Sequence, residues 1–164
     1  MNHPDLSERL ERARELIKTV RHAALATVNE DGSPHNSPVF AGLDDGLHLY
    51  WSSHPEAMHS KNIARTGQVF IALFNSMDKG GGVYIQAQAT PLEGEDLIEG
   101  LAIFNKARER HLREEVPLKV FQDEAMQRLY CAKPEKIWVN MAARNAEGYV
   151  IRDNRYQVSI EDLQ

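Results

Sequence analysis

Two Asp-Gly pairs, Asp31-Gly32 and Asp45-Gly46, each stand between short apolar runs. Such pairs mark tight β-hairpins, because these residues tolerate the left-handed backbone that the turns require. The flanking runs therefore lay out a meander of strands over His22 to Val28, His35 to Leu43 and Leu47 to Trp51. Pro38 lies inside the second run and has no N–H for a ladder, so that strand belongs at an edge or a bulge. Further strands are predicted at Val69 to Phe74, Val83 to Leu92 and Ile137 to Met141, with a glycine-rich loop over Lys79 to Gly82. Tyr149 to Arg152 and Arg155 to Ile160 flank Asp153-Asn154 as a prospective hairpin.

Helical patterns punctuate this meander. Asp5 and Glu8 read as a capping box before an apolar stripe of Leu6, Leu10, Ala13, Ile17 and Val20, which predicts a helix over about residues 5–19. Ser53 with Glu56 reads as a second capping box, Pro55 suits a first turn, and Gly67 is a stop signal. Gly94 to about His111 is helical by pattern, opened by Glu95 and Asp96 and closed by Lys106, Arg108 and Arg110 in keeping with the helix dipole. Pro117 opens another helix with Leu118, Phe121, Ala125 and Leu129 on one face. The last two form a helical insertion over about 94–131. Six to seven antiparallel strands with a few helices make an α+β barrel rather than a doubly wound sheet.

The chain has 164 residues, enough for one domain spanning 1–164 with a sizeable core. Its net charge of −5, with no strongly basic stretch, argues against duplex nucleic acid as the main partner. A single cysteine, Cys131, excludes an intramolecular disulfide and a four-cysteine metal site. No apolar run approaches the roughly 18 residues of a membrane span, and the N-terminus lacks a signal-peptide core, so no membrane partner is expected and the expected location is the cytoplasm. Seven histidines raise a metal site, but His54 and His59 are five apart and no His-Glu-x-x-His pattern exists, so none is expected. Arg108 to Arg113 is locally basic with acids interleaved, the pattern of a solvated helix end.

The stretch Trp51 to Ile63, WSSHPEAMHSKNI, carries the chemistry. A strand runs through two serines into a helix start, where free N–H groups and the dipole favour an anion. His59 and Asn62 share one helix face, while Lys61 and Arg65 share another and reach toward the rim. Two readings stand side by side: Ser53 as a plain cap, or Ser53 as an anion donor. Trp51 likewise reads as barrel core or as the wall of a groove.

From ALATVNEDGSPHNSPVF through GLHLYWSS, HSKNI and VFIALFN to GVYIQAQATPL, the region from about Ala23 to Leu92 resembles the flavin mononucleotide (FMN)-binding split barrel of the pyridoxamine 5'-phosphate oxidase family. The resemblance implies a split β-barrel that binds FMN at the interface of a homodimer. It implies that the strand His35, Asn36, Ser37, Pro38, Val39 and Phe40 runs beside the isoalloxazine ring and satisfies its polar edge through the backbone. It places Trp51, Ser52 and Ser53 at the ribityl and phosphate region, with His59, beside Lys61 and Asn62, at the phosphate. Val39, Phe40 and Trp51 would wall the ring. Gly82, within Gly80-Gly81-Gly82, falls where the family places a flavin-contacting Gln, and there a partner's backbone could come close; a flexible hairpin loop is the other reading.

This chain departs from the family pattern. His35 and Phe40 replace the Arg and Lys that bracket the second strand, and no substrate motif occurs beyond Glu135. True pyridoxamine phosphate oxidation is therefore not expected. The expectation is an FMN-dependent oxidoreductase acting on an unassigned small molecule with a nicotinamide or organic partner. No side chain is assigned as acid or base, and His35 is the candidate for tuning the ring. The competing expectation is a non-catalytic flavin or haem carrier on the same barrel, with His59 as the axial ligand.

Overall fold

The computed structural model describes residues 4–75, 81–122 and 127–164. Residues Lys79, Gly80 and Ala125, which the sequence assigns to a loop and a helix, lie outside them. The elements run α1 (Leu6–Thr19), β1 (His22–Val28), β2 (Pro34–Phe40), β3 (Gly42–Leu43), β4 (Leu49–Ser53), α2 (Met58–Thr66), β5 (Gln68–Leu73), β6 (Gly82–Pro91), α3 (Gly94–Arg110), a 3-10 turn (Leu118–Phe121), β7 (Arg128–Arg144), β8 (Val150–Val158) and α4 (Ile160–Leu163). The strands form one antiparallel sheet in the order β2-β1-β5-β6-β7-β4-β3, with β8 also on β7. The α+β antiparallel architecture is the one the sequence predicts, with eight strands instead of six to seven and with an open sheet whose ends are β2 and β3.

The first hairpin forms as predicted: Asn29 accepts from the N–H of Gly32, which takes φ 83°. In the second turn the left-handed residue is Leu47 (φ 62°), one place after Gly46. Leu47 is 5% exposed and packs in the main core, so burial of its side chain opposes the backbone cost. Pro38 does lie on an edge strand. Pro34 and Pro38 pair with Val28 and Ala24 in the β1 ladder although neither has an N–H to give. They therefore occupy positions whose N–H side faces away from β1, and Asn36, of the same parity, turns its N–H and C=O to the free edge.

Where the structure departs from sequence expectation, long-range pairing decides. β7 runs for 17 residues because it pairs with β4 through its first part, with β6 along most of its length and with β8 through its last part. That pairing takes Leu129 into a strand, and among the described residues of the predicted Pro117 helix Leu118–Phe121 is helical, as a 3-10 turn. Asp153 and Asn154 do not turn; they pair with Ala142 and Met141 inside one continuous strand. Pro134 is accommodated by a register shift beside Gln86 and Ala87.

Alternate residues of β4 feed two cores. Leu49 and Trp51 join the main one, with Leu25, Ile71, Ile85, Ile137 and α1's Ala13 and Leu16. Tyr50 joins the other, with Leu97, Leu101 and Phe104 of α3, Leu129 and Cys131. Each fully buried Leu, Ile or Phe in them contributes about 1.5–3 kcal/mol. α1 carries its capping box, Asp5 accepting from the Glu8 N–H and Glu8 from the Asp5 N–H at 2.9 Å each. α3 lies close on β3 because Gly42 has no side chain: a β-carbon there would sit 2.8 Å from the Ala107 β-carbon.

That contact gives a test of α3 seating. Gly42→Ala should lower the unfolding free energy by about 1–3 kcal/mol through overpacking. Adding Ala107→Gly should recover part of the loss beyond additivity, as read from urea unfolding midpoints of both single variants and the double.

Candidate functional site

β2 and β4 share no backbone ladder, yet their chains approach one another. Side chains of α2 fill the seam between them. Inward parity on β2 puts His35, Ser37 and Val39 on one face and leaves Asn36 and Pro38 exposed on the other. Ser53 ends β4 on the buried side. The helix α2 then brings His59 between the two strands.

The result is one hydrogen-bonded chain. Ser53 Oγ lies 2.7 Å from His59 Nε2, His59 Nδ1 lies 3.1 Å from Ser37 Oγ, and Ser37 Oγ lies 3.1 Å from His35 Nε2. The two imidazoles are stacked, with centroids 6.5 Å apart and planes 20° apart. Burial, and next the nearby His35, hold the His59 imidazole below its ordinary pKa. A neutral His59 carries one N–H, so it donates to one serine and accepts from the other. The chain thus has two proton arrangements, running in opposite directions.

Other expected residues are committed elsewhere. Ser53 does not cap α2, whose N-cap is Ala57 with no side-chain bond. Its predicted box with Glu56 does not form, because a turn closed by the Ala57 N–H on the His54 carbonyl intervenes. Ser52 points the other way and donates to Gln127 Oε1 at 2.9 Å. Lys61 pairs with Glu56 at 2.8 Å on the exposed side, and Arg65 donates to the Val28 carbonyl. Asn62 does share the buried face of His59, but both of its amide hydrogens are used, on Thr27 Oγ1 and Asn29 Oδ1 at 2.9 Å each. It fastens α2 to the first hairpin.

Trp51 is fully buried and stacked on Tyr130 at 5.4 Å, and Val39 is 7% exposed in the main core, so neither walls a groove reachable from solvent in this chain. Phe40 packs on Phe104 beside the second core. Gly82 opens β6, paired with Asn140, and is separated from β2 by β5 and β1. Sequence reasoning missed Ser37 as the bridge between two histidines, although the i, i+2 spacing of His35 and Ser37 on a strand was its signal. It also missed Ser60, whose hydroxyl is buried with no hydrogen-bond partner among the described residues.

Two further properties bound the chemistry. Burial pushes the Cys131 thiol up to about 11, outweighing the hydrogen bond with Tyr50 that lowers it, with a smaller upward push from the Asp44 charge, so it is no nucleophile near neutrality. Among the described residues no group of three or more His, Cys, Asp or Glu side chains is arranged to hold a metal ion, and no helix is long and apolar enough to cross a membrane.

Comparison with known proteins places this geometry. The sequence profile described as Pyridoxamine 5'-phosphate oxidase matches residues 10–141. No curated protein matches the sequence. Among solved structures, the chain is similar to a haem-binding protein from Mycobacterium smegmatis, at 20% identity and a TM-score of 0.69, over 99% of this chain and 61% of that one. It thus spans about three fifths of that longer protein. A protein related to general stress protein 26, from Clostridium acetobutylicum, aligns at 13% identity and a TM-score of 0.63 over 91% of this chain and 94% of its own. An F420 reductase aligns at 18% identity and a TM-score of 0.58 over 82% and 98%. At these identities the likeness is one of fold.

The depressed His59 pKa has a definite sign. The unfolded chain binds a proton at His59 before the folded chain does, so this residue favours folding above its ordinary pKa of 6.5 and that share is lost as pH falls below it. Thermal melts between about pH 7.5 and 5.5 should show the midpoint falling with acidity, and His59→Gln should flatten that slope. An equal slope in wild type and variant would contradict the assignment.

Proposed function

The chain belongs to the pyridoxamine 5'-phosphate oxidase family, and on that basis we propose that it is an FMN-binding oxidoreductase that works as a homodimer on a small molecule. The observation that carries the reading is the seam between β2 and β4. There an uncapped helix start, a buried serine hydroxyl and a neutral imidazole stand together beside the free edge of β2. The first N–H groups of α2 receive no side-chain cap, so an anion is a fitting acceptor for them. The donors are neutral: Lys61 and Arg65 are tied up, and the phosphate would be held by amides and hydroxyls.

This donor set gives the relay a direction. When an anion accepts the Ser53 hydroxyl proton, Ser53 Oγ must accept from His59 Nε2–H. His59 Nδ1 then accepts from the Ser37 hydroxyl, and Ser37 Oγ accepts from His35 Nε2–H. Occupation of the phosphate corner thus fixes the proton on one nitrogen of His35, the residue nearest the proposed ring. The outward N–H and C=O of Asn36 on the β2 edge suit the polar rim of a flat heterocycle. FMN would supply hydride and electron transfer when bound, and the protein's part is to position it. Gly82, distant from this seam within one chain, would contribute only from the other subunit.

Haem bound through His59 is the competing reading. It requires a ring nitrogen of His59 to give up its bond to Ser53 or Ser37, both buried in the seam. Flavin leaves both bonds in place, and for that reason it is preferred.

The test separates phosphate from ring. Ser53→Ala with His59→Ala should weaken FMN about tenfold or more while riboflavin weakens less than about threefold, since the pair removes the hydroxyl that faces the phosphate and the imidazole that orients it. Equilibrium dialysis of both ligands, with far-UV dichroism to verify folding, measures it. Equal losses for the two flavins would contradict the proposed corner, and a wild-type protein that takes up neither would refute the flavin reading.

A further inference from the structure

α3 and the segment that returns beside it form a hairpin whose two ends differ. The return is pinned to the C-terminal half of the helix. Asn105 Nδ2 donates to the Val116 carbonyl at 3.0 Å, the Val116 N–H donates to Asn105 Oδ1 at 2.9 Å, and Arg108 Nε donates to the Glu114 carbonyl at 2.6 Å. Beyond that pin the 3-10 turn does not close on the helix. A cleft of about 510 Å³ stays open there, walled by Leu92, Leu97, Ile98, Leu118 and Phe121. Leu97 and Phe121 are buried and belong to the second core, while Ile98 at the rim is 57% exposed. Glu93 and Glu95 stand at the mouth, and among the described residues no cation lies within ion-pair distance of either.

The apex of the hairpin has the opposite character. The Leu112 N–H donates to the Glu109 carbonyl and the Arg113 N–H to the Arg108 carbonyl, both at 2.9 Å, which is a Schellman closure. Its left-handed position normally takes glycine, yet here it is Leu112, at φ 55° and 97% exposed. Nothing that this side chain touches within one chain offsets the backbone cost. Arg110 and Arg113 flank it on the surface, and among the described residues no carboxylate lies within ion-pair distance of either. An apolar knob between two arginines and an apolar cleft between two glutamates match in shape and in sign. They do not meet within one chain, because Leu112 stands about 21 Å from Ile98 along α3 at about 1.5 Å per residue.

We propose that two copies of this chain pair through antiparallel α3 helices, with Leu112 of each seated in the cleft beside Ile98 of the other and Arg110 and Arg113 facing Glu93 and Glu95. A two-fold axis near the middle of α3 makes both contacts at once, so the pairing closes on itself. Ala102, exposed about one turn from that midpoint, leaves room for the helices to approach. A parallel pairing would set acid against acid and base against base, so the charges also choose the direction. The contact involves neither the seam nor Gly82, and it does not rest on the flavin reading.

Cross-linking and sedimentation test the pairing, on protein with and without FMN. Ile98→Cys mixed with Leu112→Cys, with copper phenanthroline as oxidant, should give a covalent dimer about tenfold faster than Ile98→Cys mixed with Tyr149→Cys. Tyr149 is 72% exposed and lies on the β7–β8 turn, and the native Cys131 is buried. Equal rates for the two mixtures would overturn the contact. Glu93→Arg with Glu95→Arg, and separately Arg110→Glu with Arg113→Glu, should each weaken self-association about tenfold or more over a concentration series. An equimolar mixture of the two should restore it, since every apex then meets a cleft of opposite sign. A mixture as weak as its components would rule out the antiparallel arrangement. Leu112→Gly should raise the melting midpoint of dilute protein, because glycine takes the left-handed backbone freely, and yet weaken self-association about tenfold. Unchanged association in that variant would refute the seating of the leucine. A wild type that stays monomeric at every concentration would overturn the proposal and leave the cleft to a foreign segment. Protein that cross-links as expected but takes up no FMN would sink the flavin reading alone.

Discussion

His59 sits where two strands meet without a backbone bond between them, and the site depends on that placement. A sheet closed by main-chain ladders would leave no gap beside β2 and no reason for a polar core. Here the sheet stays open, and the seam is filled by an imidazole that reaches a serine on each side. Such a link must be fully satisfied, because an unpaired polar group in that interior costs about 1–3 kcal/mol. His59 in the seam meets this demand with both ring nitrogens, and Asn62, one turn on along α2, spends both amide hydrogens on the first hairpin. The polar network positions α2, and the helix in turn positions the network.

Much of this was legible in the sequence, for reasons that can be traced residue by residue. Asp5 and Glu8 declared α1, and Asn29 to Gly32 declared the first hairpin, because these signals act over three or four residues and compete with nothing tertiary. The family resemblance over Ala23 to Leu92 is matched by a profile over residues 10–141. The site was legible in outline: Ser37, Ser53, His59 and His35 were all named, and the structure joins them by hydrogen bonds.

What failed did so where local chemistry was ambiguous. A serine at the end of a strand and a serine before a helix look alike in sequence. Ser53 proved to be the former, and Pro55 and Glu56 belong to an intervening turn. Asp153-Asn154 resembles a turn, yet cross-strand pairing with β7 holds it extended. Leu129 fits a helical stripe by period, but on β7 its side chain finds the same apolar partners from α3. Lys61 and Arg65, plausible anion ligands from helix spacing alone, are drawn off by Glu56 and a backbone carbonyl, which spacing cannot foresee.

The length of β7 governs how the chain assembles. It joins Leu49 to Ala132 and Ser53 to Arg128 at one end, and Ile137 to Val158 at the other. Loops of that span close slowly, since their entropy must be given up before any ladder forms in return. During synthesis, the strand that carries Trp51 must wait for some seventy-five further residues to emerge before its neighbour exists. In that interval its backbone edge and apolar faces are open to other chains, so early encounters with chaperones, or with misfolded copies, would be decided at β4.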